Sequence, residues 1–462
     1  MAVRATEAVG RALVEQTLAL RSPGLSAVVV PAPRAPLTVL PDAVREDVVS
    51  LWHRPDDRSF AGVGVAAAIE VEGADRWRQL REATTSVLGR VQVTVHRDAA
   101  PVRPALVGGL AFAPGWADGC WESFGDGGFV LHRWTYERAE RPTLTLVVDA
   151  PALSDDAAAR LLTEYDRIVA ALAAAADDRL FPPPETAADG IPEPSLRQLP
   201  MVDWIDHVRS IQRELGRGKF VKLVAARRCD VFVEGLDAML IVSRMAHDFA
   251  ECTAFLFQRG ERTFVGATPE MLFRLRGTTV ESQALAGSLQ AQGGSGNRAA
   301  LLTHSRKNLG EHDVVVRAVV DGLGEHCVAI EHPPQPEIVQ VRNLIHLSTP
   351  IRGELRDGAH PVDILETLHP TPAVGGVPRR ESIRWIVEHE RSPRGWYTGP
   401  IGWIDTAGEA TFRVAIRCGV VEPAVAHVYT GAGIVADSNP AAEYHETSLK
   451  QRPFLRALGV VT

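Results

Sequence analysis

Residues able to do chemistry gather near the end of the chain, in the stretch Thr430–Lys450, which reads TGAGIVADSNPAAEYHETSLK. This stretch predicts a strand end, a glycine turn and a helix start. Gly431 and Gly433 let the backbone pass close to a bound group and point its N–H donors outward. Asn439 suits the N-cap of the following helix, and Pro440 suits its first position, where no N–H is needed.

The predicted helix carries Glu443, Glu446 and Lys450 at i, i+3 and i+7, which lie on one helix face. Two carboxylates and an ammonium beside an N–H-rich turn suit a hard cation that holds an anionic ligand. The alternative is a solvated helix in which Glu446 and Lys450 form an ordinary surface pair. These residues alone leave both interpretations open.

Two further residues have the chemistry of a general base and a general acid. Lys222 lies in the strand-like segment FVKLVAARR, on the face opposite Val221 and Leu223. It is either a solvated strand lysine or, if buried, an amine of lowered pKa. Glu270, in GATPEMLF, is either exposed at a turn or, if shielded, a carboxyl of raised pKa that can donate a proton.

Four other side chains suit either a ligand or the protein interior. Glu311 begins an apolar helical segment, where an acid favours the helix dipole, and His346 lies among apolar residues. Arg417 follows Arg413 at an even spacing on a predicted strand, so both project from one face. It can bind a carboxylate or form a structural ion pair. Tyr397 lies in a Gly/Trp-rich turn, where its hydroxyl reaches a ligand or its ring simply packs.

Composition limits the classes of function. The 462 residues are 45% hydrophobic and 23% charged, which is typical of a soluble globular protein. A net charge of −8 without a long basic block argues against nucleic-acid binding, and a dianionic substrate would need local cations or a metal. Five scattered cysteines without C-x-x-C spacing indicate reduced thiols and no zinc site. No signal peptide or membrane span is predicted, so we expect a cytoplasmic protein.

The predicted helices and strands fall on either side of a Pro-rich connector, 181–200. The N-terminal half, 1–180, alternates strand-like runs with a helix over Ala74–Leu88 and a longer helix capped by Ser154. The region 201–462 carries all the candidate residues, and we expect one compact fold overall. Strands mixed with long helices, without regular alternation, predict an α+β fold with largely antiparallel sheets flanked by helices.

Within 201–462 the predicted elements are more specific. A helix contains Trp204, a strand begins near Lys219, and a helix covers about 298–323. The segment ERTFVGATPEMLFRLRGTTVESQALAGS predicts successive antiparallel strands with turns at Thr268-Pro269 and Gly277. Two more strands are predicted in ATFRVAIRCGVVE and VAHVYTG.

Several motifs occur in an order that resembles the chorismate-binding enzymes, the family of isochorismate, salicylate, anthranilate and aminodeoxychorismate synthases. They are ALAGS, GEHDVVV, LHPTPAVGGVPR, RGWYTGPIGW, VAIRC and GAGIVADSNPAAEYHET-x-x-K. The resemblance covers about 200–462 with high specificity. It implies the fold of anthranilate synthase component I, chorismate as substrate and Mg²⁺ as cofactor.

The resemblance also implies roles for single residues. Glu311 and Glu446 match the magnesium-binding carboxylates, and Glu443 lies beside them as a holder of metal-bound water. The substrate-binding positions are Arg417, Tyr397, Gly431 and Gly433 for the enolpyruvyl carboxylate, His346 near the leaving hydroxyl, Lys450 near the metal, and Ala373. Lys222 resembles the base that activates water, and Glu270 resembles the acid that protonates the leaving hydroxyl. These two roles need a neutral amine and a protonated carboxyl, which burial favours.

Three positions distinguish the branches of the family. Ammonia-using members have Gln where this chain has Lys222, and the aminodeoxychorismate type has Lys at Ala286. Both differences imply water as the nucleophile, and therefore no glutaminase subunit. Ala373 matches isochorismate synthases, and LHPTPAVGGVPR resembles the menaquinone-pathway branch more than the siderophore branch. The alternatives are a salicylate synthase, which also eliminates pyruvate, an ammonia-using synthase, and a non-catalytic chorismate-binding protein.

Overall fold

Two large antiparallel sheets dominate the computed structural model, which describes residues 2–19, 23–182, 194–290, 305–341 and 344–460. Within this part of the chain the first sheet has thirteen strands, in the order β10-β11-β23-β22-β13-β12-β2-β3-β8-β9-β1-β5, with β19 also paired to β11. Its strands are β1 (Leu25–Pro31), β2 (Val48–His53), β3 (Ser59–Val63), β5 (Val91–Val95), β8 (Trp134–Glu137), β9 (Thr143–Val148), β10 (Ser195–Gln198), β11 (Lys222–Phe232), β12 (Thr253–Arg259), β13 (Arg262–Thr268), β19 (Gly376–Val377), β22 (Cys418–Glu422) and β23 (Val425–Ile434).

The second sheet has ten strands among the described residues, in the order β16-β18-β15-β14-β21-β20-β6-β7-β4, with β17 also paired to β18. Its strands are β4 (Ala67–Glu70), β6 (Ala105–Leu110), β7 (Gly127–Leu131), β14 (Met271–Arg276), β15 (Thr279–Gln290), β16 (Cys327–Glu331), β17 (Glu337–Val341), β18 (Leu344–Leu355), β20 (Pro400–Asp405) and β21 (Ala410–Val414). Only β1 and β5 pair in parallel within the described ranges. The predicted α+β class with largely antiparallel sheets is therefore confirmed.

Helices cover the outer faces of the two sheets. They are α1 (Ala2–Leu18), α2 (Val39–Ala43), α3 (Arg76–Gly89), α4 (Asp155–Ala174), α5 (Met201–Gly216), α6 (Ala238–Asp248), α7 (Arg306–Gly324), α8 (Pro361–Leu368), α9 (Arg379–His389) and α10 (Pro440–Ala457). Between the sheets lies an aromatic core that includes Trp52, Phe255 and Trp403. Ser154 caps α4 as predicted, by accepting a hydrogen bond from the N–H of Ala157. No described helix is both long and apolar enough to span a bilayer.

Strands from both sides of the connector share each sheet. In the first sheet β2 pairs with β12, and in the second β6 pairs with β20. Residues 183–193 of the connector lie outside the described residues, as does the predicted helix start at 298. The division at 181–200 therefore stays a prediction.

Four runs that look continuous in the sequence cross from one sheet to the other. Two such crossings separate β3 from β4 and β7 from β8. The other two separate β13 from β14 and β21 from β22, and they carry Glu270 and Arg417. The predicted turn at Thr268-Pro269 is thus a sheet crossing and no hairpin, whereas the turn at Gly277 does join the antiparallel pair β14 and β15.

The two crossings that carry Glu270 and Arg417 are joined to each other by hydrogen bonds. The N–H of Val414 donates to the carbonyl of Glu270 at 3.1 Å, and the N–H of Ala267 donates to that of Arg417 at 3.3 Å. The Thr268 hydroxyl donates to the Val414 carbonyl at 2.6 Å. Because each crossing stabilises the other, the backbone that carries Glu270 and Arg417 is fixed from both sheets.

Candidate active site

One cavity of about 340 Å³ brings the predicted chemical residues together. Its lining includes all twelve of them: Lys222, Glu270, Glu311, His346, Ala373, Tyr397, Arg417, Gly431, Gly433, Glu443, Glu446 and Lys450. Their common location is observed, while the chemical role of each stays a prediction.

Lys222 is the first residue of β11, and its side chain is buried while the neighbouring Val221 is exposed. A Cβ atom at Gly433 on the paired strand would lie 2.5 Å from Lys222 Cε, so the glycine leaves the space that this side chain occupies. Lys222 Nζ lies 3.9 Å from a carboxylate oxygen of Glu311. Burial lowers the pKa of Lys222, although the negative charge of Glu311 opposes this effect.

Glu270 lies at the crossing between β13 and β14, where its backbone N–H donates to the Thr268 hydroxyl at 3.2 Å. The residue is only 7% exposed. Burial raises the pKa of its carboxyl to about 7, against the opposing effect of Lys222, Lys450 and Arg417. At neutral pH a large fraction of this carboxyl therefore holds a proton that it can donate.

Helix α10 begins as the sequence predicts. The side chain of Asn439 accepts hydrogen bonds at 3.0 Å from the N–H groups of Ala441 and Ala442, and Pro440 is the first helical residue. Lys450 Nζ lies 2.7 Å from a carboxylate oxygen of Glu446 and donates to the Gly431 carbonyl at 3.2 Å. The Glu446–Lys450 ion pair expected for a solvated surface helix therefore forms, but it lies at the wall of the cavity.

Three carboxylates, those of Glu311, Glu443 and Glu446, are the oxygen donors that could hold a metal in this cavity. Among the described residues no three of His, Cys, Asp and Glu are grouped closely enough to form a ready-made metal cage. Mg²⁺ is held in proteins by one or two carboxylates together with waters and substrate oxygens. The donor set fits that ion, since it is made of hard oxygens and leaves coordination positions to other ligands.

The predicted glycine turn is wrong. Gly431 and Gly433 lie inside β23, where they pair with Ala226 and Val224 of β11. The turn comes after Ile434, the last residue of this strand. At both positions the absence of a side chain makes room, because a Cβ atom at Gly431 would lie 3.0 Å from the Tyr397 hydroxyl. Gly431 also contributes its carbonyl, which accepts the hydrogen bond from Lys450.

The prediction that Arg417 lies on a strand and shares a face with Arg413 is also wrong. It lies between β21 and β22 with a φ of 53°, in the left-handed region that non-glycine residues seldom adopt. Arg413 lies in β21 of the second sheet. The even spacing failed as a signal because the chain changes sheets between the two residues.

Tyr397 lies in the predicted Gly/Trp-rich turn, and its ring stacks on that of Tyr429 with centroids 5.3 Å apart. Burial raises the pKa of the Tyr397 hydroxyl, so it stays a neutral hydrogen-bond donor. The next residue, Thr398, has a φ of 61°, a rare conformation for a β-branched residue. His346, on β18, and Ala373, between α8 and β19, complete the predicted lining.

Other lining residues were not anticipated, among them Val224, Leu285, Thr398 and Tyr429. Val224 could have been found, since it follows Lys222 by two residues on the same strand face. Tyr429 gave no such signal, because a tyrosine in an apolar strand is ordinary. Its hydroxyl accepts a hydrogen bond from the Trp121 indole N–H at 2.8 Å, which ties the cavity wall to the aromatic core.

The chain resembles known proteins in both its sequence and its structure. A family model described as chorismate binding enzyme matches residues 13–459. The chain is 32% identical to isochorismate synthase MenF of Bacillus subtilis, over 88% of this chain and 87% of that protein. It is 31% identical to the salicylate biosynthesis isochorismate synthase of Pseudomonas aeruginosa, over 89% and 84%. The solved structure of the menaquinone-specific isochorismate synthase MenF from Escherichia coli has the same fold, with a TM-score of 0.77 at 21% identity over 98% of this chain and 99% of that chain.

Proposed function

This chain belongs to the chorismate-binding enzyme family, and we propose that it is an isochorismate synthase. The reaction adds water at C2 of chorismate and expels the C4 hydroxyl while the ring double bonds shift. One observation carries the proposal. Two buried groups of opposite type, Lys222 and Glu270, face the same cavity, and burial shifts the pKa of each toward its neutral form.

The proposed base is Lys222. In its neutral form the amine takes a proton from the attacking water as the new C2–O bond forms. Burial and the space left by Gly433 support this role, because they hold a desolvated amine inside the cavity. The same burial argues against a non-catalytic binding protein, since binding alone does not require a desolvated acid–base pair.

The proposed acid is Glu270. Its protonated carboxyl gives a proton to the C4 hydroxyl, which leaves as water, so one water enters and one departs. Each turnover leaves Lys222 charged and Glu270 ionised. A proton must therefore return from the amine to the carboxylate before the next turnover. His346 is proposed to lie near the leaving hydroxyl.

The proposed cofactor is Mg²⁺, held by Glu311 and Glu446, with Glu443 holding metal-bound water. When bound, the ion would neutralise the ring carboxylate of chorismate and anchor it. Three carboxylates on a cavity that must accept a dianion support this proposal. Arg417, Tyr397 and the backbone at Gly431 and Gly433 are proposed to hold the enolpyruvyl carboxylate, because a guanidinium binds a carboxylate through a fork of two hydrogen bonds.

Product analysis tests the proposal. The purified protein is incubated with chorismate and Mg²⁺, and the products are separated by chromatography. We expect isochorismate in equilibrium with chorismate, without pyruvate. Substantial salicylate and pyruvate without a second enzyme would identify a salicylate synthase instead. When ammonium is supplied, anthranilate or aminodeoxychorismate as the main product would overturn both the choice of water as nucleophile and the expected independence from a glutaminase subunit.

A further inference from the structure

A buried ion pair lies behind the cavity wall and is absent from the cavity lining. Glu390 follows helix α9 and Arg394 begins the turn that carries Tyr397. Their side chains are 3% and 1% exposed, and Arg394 Nε donates to Glu390 at 2.8 Å. The Arg394 guanidinium also lies 4.4 Å from the ring centroid of Phe112, which closes its remaining face.

The pair fills a gap in the first sheet. One edge of β11 pairs with β23 over Leu223–Phe232, whereas the other edge pairs with β19 at Lys222–Leu223 and with β10 at 229–232. Among the described residues no strand pairs with 224–228 on that edge. There Arg394 donates to the Val224 carbonyl at 2.9 Å, and the Ala226 N–H donates to Glu390 at 2.9 Å. The two side chains thus satisfy the backbone as a neighbouring strand would.

Arg394 makes two further contacts with segments that reach the cavity. It donates to the Val374 carbonyl at 2.8 Å and to the Thr398 hydroxyl at 3.4 Å. Each of its backbone or hydroxyl partners is close in sequence to a proposed site residue. Val224 follows Lys222 by two residues, and Val374 and Thr398 directly follow Ala373 and Tyr397.

We propose that Glu390 and Arg394 are positioning residues, which set the distance between the base Lys222 and the wall that binds substrate. This inference rests on the proposed function. A buried ion pair adds little net stability compared with apolar side chains, so stability alone is a weak account of this one. A fork that joins three separate segments, by contrast, fixes their relative placement, and a productive site must be held to within about 0.5 Å.

The first test replaces the forked guanidinium of Arg394 with an amine and keeps its positive charge. In Arg394→Lys we expect folded protein whose kcat is lower by about 10²-fold, because a misplacement of about 1 Å has an effect of that size. Glu390→Gln, which keeps an acceptor for the Ala226 N–H, should have a smaller effect of the same kind. Arg391→Lys is the matched control, since Arg391 is an exposed arginine of the same segment and pairs with Asp203. Unchanged kcat per folded molecule in Arg394→Lys, with only a lower melting temperature, would overturn the proposal.

The second test is chemical rescue. Arg394 and Glu390 also line a separate cavity of about 250 Å³, which gives small solutes access to the pair. In Arg394→Ala, guanidinium at millimolar concentration should restore kcat at least tenfold, whereas methylammonium should not. Equal recovery with both cations, or none in a folded variant, contradicts the positioning role. If Arg394→Ala does not fold, Arg394→Lys and Glu390→Gln decide the question.

The failure of this inference can be told apart from the failure of the proposed function. If the wild-type protein forms no isochorismate, the proposed function is wrong, and the dissociation constant for chorismate in the presence of Mg²⁺ is then compared by tryptophan fluorescence. A displaced Tyr397 wall predicts at least threefold weaker binding in Arg394→Lys. Equal binding would overturn the positioning role on its own.

Discussion

Two cavities of this molecule are rich in charged side chains, and they differ in how those charges are satisfied. The first is the candidate active site. The second, which we name the arginine crevice, is an open space of about 1040 Å³, far larger than the 340 Å³ of the active-site cavity. Its lining includes Asp57, Arg58, Glu137, Arg274, Arg276 and Glu281. Size alone would select the crevice.

In the arginine crevice several buried or half-buried charges have close partners of opposite sign. Arg58 lies 2.5 Å from Glu137, and Arg274 lies 2.6 Å from Glu281. Burial disfavours the charge of Arg58, but the attraction and hydrogen bond of Glu137, together with the charges of Asp405 and Asp57, outweigh it, so the pKa of Arg58 is raised. In the active-site cavity burial prevails instead, and it shifts Lys222 and Glu270 toward their neutral forms. Uncompensated desolvation of ionisable side chains therefore distinguishes the candidate active site from the crevice, whereas cavity volume and the number of charges do not.

The largest effect is expected from removal of the proposed base, Lys222. Lys222→Met keeps the apolar stem but cannot accept a proton, so we expect kcat to fall about 10⁴-fold, at the upper end for general base catalysis. The control is Lys219→Met, which removes an exposed lysine three residues earlier that pairs with Glu214. Initial rates of isochorismate formation measure both variants. Turnover within tenfold of wild type in Lys222→Met would show that the desolvated amine is not the base.

A smaller loss is expected from Glu270→Gln, because the amide can still donate a hydrogen bond to the leaving hydroxyl. We expect about 10³-fold at pH 7. In the wild-type protein kcat/KM should fall as the pH rises above about 7, since Glu270, whose pKa is about 7, then loses the proton it must donate. The variant should lack this alkaline decline. A decline of the same midpoint in Glu270→Gln would assign it to another group.

The carboxylates of the two cavities give the third prediction. Glu137 and Glu281 of the arginine crevice have arginine partners, whereas the carboxylates of the active-site cavity are proposed to hold Mg²⁺. Glu446→Gln should therefore raise the Mg²⁺ concentration for half-maximal activity at least about tenfold, the lower limit even for residues that only orient metal ligands. Excess chelator should stop the wild-type reaction, and added Mg²⁺ should restore it. Glu281→Gln in the crevice should leave the Mg²⁺ requirement unchanged.

Local sequence signals predicted much of this arrangement. Residues close together in the sequence determine three of these features, namely the cap at Asn439, the helix face of Glu446 and Lys450, and the face of β11 that carries Lys222. The family resemblance assigned the other predicted residues to the same site, but it did not identify lining residues such as Val224 and Tyr429. No local pattern in the chain joins Glu311 to Lys222, whose charged groups lie 3.9 Å apart although 88 residues separate them in the sequence.

The failures have causes that lie outside the local sequence. Apolar residues continue to alternate through the crossing between β21 and β22, at Phe412, Val414, Ile416 and Cys418. The sequence therefore reads as one strand where the structure has two, as for Arg413 and Arg417. Whether a glycine forms a turn or leaves space for another side chain depends on which residue lies on the neighbouring strand. For Gly433 the neighbour is Lys222, more than 200 residues earlier in the sequence.

The smallest effect on turnover is expected in the arginine crevice, where Glu137→Gln should leave kcat and KM within twofold of wild type. Stability should respond instead, because the variant leaves the half-buried Arg58 without its carboxylate, and we expect the free energy of unfolding to fall by about 2 kcal/mol. Glu140→Gln, at an exposed position of the same crevice, should change it by less than about 0.5 kcal/mol. Denaturant unfolding and steady-state kinetics on the same preparations measure both quantities. A large loss of turnover in folded Glu137→Gln would contradict this distinction between the two cavities, since the paired charges of the arginine crevice would then also contribute to the reaction.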